Sequence, residues 1–124
     1  MKILISSTGD NLESLIDPRF GRAAYFIIVD TDSMEFEVIN NKTIAFGGGA
    51  GVKAAQTVVD KDVAAVITGN MGPNAMNVLQ IAQIDIFKGF SETVRANVEK
   101  FKKGLLEKID TAVPPHFGMG RGGR

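Results

Sequence analysis

Asp17-Pro-Arg-Phe-Gly-Arg22 places two guanidinium groups, Arg19 and Arg22, three residues apart around Phe20 and Gly21. That spacing can grip one carboxylate or other oxyanion from two sides. Two glycine-rich segments offer a different anion tool: Phe46-Gly-Gly-Gly-Ala-Gly-Val-Lys53 and Thr68-Gly-Asn-Met-Gly-Pro-Asn-Ala75. Each runs into an apolar periodic stretch, so each is expected to present bare backbone N–H groups at a helix start. Unpaired donors and the positive end of the helix dipole attract anions there. A plainer reading pairs Arg19 with Asp17, lets Phe20 plug the loop into the core, and uses the glycines for tight packing alone.

Tools for reacting with a bound anion are missing. The chain has no cysteine, which excludes disulfides, thiolate zinc sites, cysteine nucleophiles and thiolate-held iron–sulfur clusters. His116 is the only histidine, hence the only imidazole for metal ligation or proton transfer, and it lies between Pro114-Pro115 and a glycine-rich end. Met71, Met76 and Met119 could act as soft ligands, with Met76 better suited to filling the core. A hydrolytic triad lacks a placed histidine and a G-x-S-x-G elbow. A metal-dependent nuclease would need carboxylates on a central strand, and Lys2–Ser7 carries none. The G-x-x-x-x-G-K-[ST] phosphate loop fails around Lys53. Gly49-Ala-Gly-Val-Lys-Ala54 satisfies G-x-G-x-x-A, but without a strand directly before it or an acidic residue about 20 positions later.

Lys and Arg number 14 and Asp and Glu 14 in 124 residues, so no global field draws nucleic acid or an acidic membrane. At 13.3 kDa, with 44% hydrophobic and 23% charged residues, the chain suits one soluble domain with one core. The apolar run in Met1-Lys-Ile-Leu-Ile-Ser-Ser7 is too short for a signal peptide or membrane span, so the expected location is the cytoplasm.

The elements that must position these residues follow from hydrophobic period. Lys2–Ser7, Ala23–Asp30, Glu35–Asn40, Val63–Thr68 and Ile84–Lys88 read as strands, the second and third forming a hairpin. A helix from Ala50 to about Lys61 would turn Val52, Ala55 and Val59 inward. A second begins at Pro73 and buries Ala75, Val78, Leu79 and Ala82; Ser91 can cap a third that carries Val94, Val98, Phe101 and Leu105 inward. The order β-β-β-α-β-α-β-α predicts an α/β domain over 1–111, with a five-stranded mixed sheet flanked by helices and right-handed parallel crossovers. Thr8–Arg22 is left as a long functional loop, and residues 112–124 as a mobile Gly/Arg-rich tail.

Three blocks, Asp17-Pro-Arg-Phe-Gly-Arg-Ala-Ala-Tyr-Phe-Ile-Ile-Val-Asp30, Gly49-Ala-Gly-Val-Lys-Ala-Ala-Gln56 and Val66-Ile-Thr-Gly-Asn-Met-Gly-Pro-Asn-Ala75, resemble the dinitrogenase iron–molybdenum cofactor biosynthesis family. This is the NifX/NifY domain, also found as the C-terminal part of NifB, and the likeness spans about residues 1–105. The resemblance implies a ribonuclease-H-like fold used for binding rather than catalysis. It also implies that the cargo is an anionic iron–sulfur or iron–molybdenum cofactor, or its precursor, exchanged with a donor or acceptor protein. The radical-SAM half of NifB is absent, and Phe46-Gly-Gly-Gly lacks the histidine that some relatives carry near this loop.

The expected cofactor-binding residues are Arg19, Phe20, Gly21, Arg22, Gly49, Gly51, Gly69, Asn70, Gly72 and Asn74, with His116 as a candidate metal ligand. A second reading is a nucleotide- or small-molecule-binding protein or enzyme that uses the glycine loops; a third is an interaction module docking through its tail.

Overall fold

Six strands form one mixed sheet in the computed structural model, which describes residues 1–41 and 49–110. They are β1 (Lys2–Ser7), β2 (Tyr25–Asp30), β3 (Phe36–Asn40), β4 (Ala65–Thr68), β5 (Asp85–Lys88) and β6 (Glu107–Lys108), in the spatial order β3-β2-β1-β4-β5-β6. Three helices lie within the described residues: α1 (Ala50–Asp60), α2 (Pro73–Ile81) and α3 (Val94–Lys102). β1 pairs antiparallel with β2 (Leu4 opposite Ile28) and parallel with β4 (Leu4 opposite Val66); β4 and β5 are parallel. The expected α/β architecture is therefore present.

The period-2 alternation of each strand divides the apolar side chains between two cores. On one face Leu4, Phe26, Ile28, Val66 and Ile86 meet Ala54, Ala55 and Val58 of α1 and Ala75, Met76 and Leu79 of α2. On the other, Ile3, Ile5, Ile27, Val29 and Ile67 meet Val94 and Val98 of α3 and Leu12 and Ile16 of the long loop. Both faces are thus covered, as a parallel centre requires.

Five expectations are corrected. A sixth strand exists: Glu107–Lys108 pairs antiparallel with β5, too short to carry a period of its own. α1 is rotated from its expected facing, with Ala50, Ala54, Ala55 and Val58 buried and Val52 and Val59 more than a third exposed. Small side chains face inward because α1 packs closely on α2, where Gly51 lies against Ala75. Thr93 rather than Ser91 caps α3, its side chain accepting from the Ala96 N–H at 3.0 Å. Leu105 is exposed while Leu106 is buried, because the chain has left the helix there, and Ala82 is exposed at the C-cap of α2.

The two-core arrangement fixes the course of residues 8–22. Ile16 belongs to the α3 side and Phe20 to the α1/α2 side, so Asp17-Pro18-Arg19 must cross the sheet at the ends of β1 and β4. At the crossing, a Cβ on Gly69 would stand 2.6 Å from Pro18 Cα, whereas one on Gly72 would meet nothing within 4 Å. Gly69→Ala is therefore expected to cost about 1–3 kcal/mol through overpacking. Gly72→Ala should stay within about 0.5 kcal/mol of the parent. Urea denaturation of the two variants side by side checks the contrast.

Candidate functional site

The crossing segment is tied down by buried hydroxyls at the ends of two parallel strands. Ser6 Oγ donates to the Asp17 carbonyl at 2.6 Å and lies 2.8 Å from Thr68 Oγ1, all three residues being buried. The Asp17 N–H donates to the Ser6 carbonyl at 2.9 Å, and the Asn70 N–H to the Pro18 carbonyl at 2.9 Å. Arg19 and Asn70 form an isolated parallel bridge. The strap from 17 to 21 thus becomes a short extension of the sheet, at the carboxyl ends of β1 and β4. Open α/β sheets place their ligands there.

Beyond the crossing, the strap rests on a helix start. A Cβ on Gly21 would lie 2.8 Å from Gly51 Cα and 2.9 Å from Gly51 N, so only a glycine at 21 lets the strap meet the first turn of α1. A Cβ on Gly51 would in turn stand 3.6 Å from Ala75 Cβ in the first turn of α2. The three segments that suggested anion binding therefore meet. The N-caps of α1 and α2 are Gly49, left-handed at φ 64°, and Gly72. Neither supplies a side-chain cap, and neither first turn carries an acidic residue. α3, with its Thr93 cap, starts from the other face. The first-turn N–H groups of α1 and α2 consequently lack the side-chain acceptors that usually satisfy such donors.

The two arginines differ in kind. Asp17, only 2% exposed, accepts from Arg19 Nε at 3.1 Å, Nη2 at 3.1 Å and the Arg19 N–H at 3.0 Å. Hydrogen bonding to Asp17, and then its charge, make the Arg19 guanidinium hold its proton more firmly than usual. Most of the Arg19 side chain nonetheless stays in solvent. Arg22 is exposed and makes no ion pair or hydrogen bond among the described residues, so its charge is not spent internally.

Each expected site residue within the described residues has a location. Gly21, Gly51, Gly69 and Arg19 meet at the strap; Asn70 is half-buried beside it, and Asn74 is exposed on the first turn of α2. The Phe20 side chain is in the core, its ring centroid 5.4 Å from that of Phe26, and only its backbone borders the strap. Met71 and Met76 are both core residues, 2% and 3% exposed, which removes them as soft ligands. His116, Met119 and the Phe46-Gly47-Gly48 start of the first glycine loop lie outside the described residues. β3 ends at Asn40, nine positions before Gly49. No group of three His, Asp or Glu able to hold a metal ion occurs among the described residues. No helix there is long and apolar enough to cross a membrane.

Sequence reasoning did not single out Ser6, Thr68 or Asn41. Asn41, fully buried, donates to the Gly21 carbonyl at 3.2 Å and the Ala23 carbonyl at 2.8 Å, fixing the far end of the strap. Its Oδ1 is buried without a donor among the described residues. The available signal was polar residues closing apolar strands, Ser6-Ser7 after Ile5 and Thr68 after Ile67.

The family model for dinitrogenase iron–molybdenum cofactor proteins matches residues 1–104. The apo form of the orange protein from Desulfovibrio gigas is 35% identical, with a TM-score of 0.82 over 88% of this chain and 92% of that one. A NifB-like protein from Thermotoga is 39% identical, with a TM-score of 0.77 over 89% and 94% of the two chains. An uncharacterised protein of Methanocaldococcus jannaschii is 31% identical over 77% of this chain and 83% of its own length.

Removing Arg19 leaves a buried carboxylate without its cation, whereas removing Arg22 breaks no ion pair or hydrogen bond among the described residues. Arg19→Ala should therefore lower the urea midpoint, and Asp17→Asn on that background should recover part of the loss. Arg22→Ala should leave stability within about 0.5 kcal/mol of the parent. Equal midpoints for Arg19→Ala and Arg22→Ala would contradict the assignment.

Proposed function

The chain belongs to the dinitrogenase iron–molybdenum cofactor family, and on that footing we propose that it is a cytoplasmic, non-catalytic carrier. Its cargo would be an anionic iron–sulfur or iron–molybdenum cofactor, or a precursor of one, received from and passed to other proteins. The observation that carries this reading is the meeting of two helix starts without side-chain caps beneath a strap bearing Arg19 and Arg22.

Without cysteine, the cargo cannot be held through protein thiolates. Retention would rest on hydrogen bonds from backbone N–H groups around Gly49–Gly51 and Gly72–Asn74, on the positive helix ends, and on guanidinium charge. Arg22 supplies most of that charge, because Arg19 is already shared with Asp17. Gly69 and Asn70 shape the strand end, and the side chains of Asn70 and Asn74 offer amide donors at its border. His116 is the one imidazole available as a direct metal ligand. Such outer contacts suit a transient carrier, since cargo held by hydrogen bonds and charge leaves without breaking thiolate bonds. The absence of a nucleophile–base pair on the strap fits binding rather than turnover.

Anaerobic titration with an iron–sulfur cofactor precursor, followed by gel filtration and metal analysis, tests the proposal. Stoichiometric retention is expected, about tenfold weaker in Arg22→Ala, the value of one charge-assisted hydrogen bond. His116→Ala should weaken retention further if the imidazole is a ligand and leave it unchanged if contacts at the strap suffice. No retention by the parent protein overturns the carrier reading. A rise in melting temperature with nucleotides or inorganic phosphate would instead favour a nucleotide-binding role.

A further inference from the structure

On the opposite side of the strap from the helix starts, a hollow of about 440 Å³ opens at the carboxyl ends of β4 and β5. Its walls include Leu15 and Pro18 of the long loop, Asn70 after β4, and Lys88, Phe90 and Ser91 at and beyond the end of β5. We propose that this hollow binds a small monocarboxylate with an apolar body, its carboxylate on Lys88 and its body between Leu15, Pro18 and Phe90.

The charge argument is direct. Lys88 is the sole charged side chain on the walls, is exposed, and makes no ion pair or hydrogen bond among the described residues. The neighbouring cations are engaged: Lys100 with Glu92 at 3.2 Å, Arg95 with Glu13 at 2.6 Å and Lys108 with Asp85 at 3.3 Å. One unshared cation calls for one negative charge. The Asn70 amide and the Ser91 hydroxyl stand on the same walls as orienting hydrogen-bond partners.

The apolar argument is independent. Leu15 is 57% and Phe90 47% exposed. A second hollow of about 430 Å³ shares Lys88, Phe90 and Ser91 and adds Leu105 and Glu107, the residue opposite Lys88 on β6, so Leu105 extends the apolar surface beyond the lysine. Ligand pockets of about 300–1,000 Å³ typically combine such apolar walls with a few convergent polar groups.

The walls are also pre-formed, which lowers the ordering cost of binding. Asn97, fully buried, accepts from the Phe90 N–H at 2.7 Å and donates to the Phe90 and Thr93 carbonyls at 3.0 and 2.9 Å. Opposite, the Ile16 N–H donates to the Glu92 carbonyl at 3.0 Å, and Leu15 bridges Thr93. The loop bearing Leu15 and the loop bearing Phe90 are thereby held at a fixed separation. This inference shares Asn70 with the carrier reading but does not depend on it, because it uses neither helix start nor either arginine.

The test is ¹⁵N-resolved NMR titration of the full chain with a panel of aromatic and branched-chain monocarboxylates, including phenylacetate, and with the matched amides such as phenylacetamide. Saturable shifts confined to Leu15, Ile16, Asn70 and Lys88–Ser91 are expected with at least one acid. In Lys88→Met they should weaken about tenfold, the effect of losing one charge-assisted contact. Absence of shifts across the panel overturns the proposal, as does equal binding of acid and amide, or unchanged affinity in Lys88→Met. Retention of the iron–sulfur precursor by Lys88→Met separates this site from the strap, since the substitution leaves the strap intact.

Discussion

Ile16 and Phe20 sit four residues apart in sequence and in different cores, one on each side of the sheet. The chain between them has no route except over the ends of β1 and β4. The peptide groups there are paired: Ser6 bonds the Asp17 N–H and carbonyl, the Asn70 N–H bonds the Pro18 carbonyl, and Asp17 Oδ1 accepts from the Arg19 N–H. A buried Ser6 and Thr68 would be costly residues at strand ends elsewhere; here their hydroxyls are bonded to one another and to the strap. The neighbouring features follow from this crossing. Gly69 must lack a side chain for Pro18 to pass, and Gly21 must lack one for the strap to land on α1.

That landing gives the site its electrostatic character. Two helices begin beside the strap without capping side chains, while the helix on the other face is capped by Thr93 in the ordinary way. At Gly72, whose backbone is extended, a Ser, Thr or Asp cap would stabilise the helix start by about 1 kcal/mol, whereas the left-handed backbone at Gly49 suits glycine. The absence of side-chain caps at two neighbouring helix starts leaves donors directed at the same region. The arginines complete it unequally. Arg19 neutralises Asp17 and stiffens the strap, whereas Arg22 projects an unshared charge. The strap also divides the carboxyl edge of the sheet, with glycine backbone and guanidinium on one side, and Leu15, Phe90 and Lys88 on the other.

Much of this was legible from local pattern. Strand periods, Pro73 at a helix start and the three anion-friendly segments lie in short stretches whose physics is local, and five of the six strands were located to within about two residues. Legibility failed where neighbours in space decide. The period of α1 admits either a Val52/Ala55/Val59 stripe or an Ala54/Ala55/Val58 stripe; close packing on α2 selects the smaller side chains. β6 spans two residues and exists only because β5 offers a free edge. Leu105 and Leu106 are equivalent by composition, and only the exit from α3 determines which one is buried.

The sequence by itself determined the family, the α/β class, the lack of thiolate chemistry and the presence of bare backbone at two helix starts. These follow from residue type and short-range spacing. Tertiary structure alone decided that the three segments meet, that Phe20 belongs to the core and Arg19 to Asp17, and that Arg22 and Lys88 keep unshared charges on opposite sides of one strap. Those outcomes depend on contacts between residues up to 62 positions apart, as with Ser6 and Thr68. No local period encodes such contacts; burial of two separate cores on one sheet imposes them.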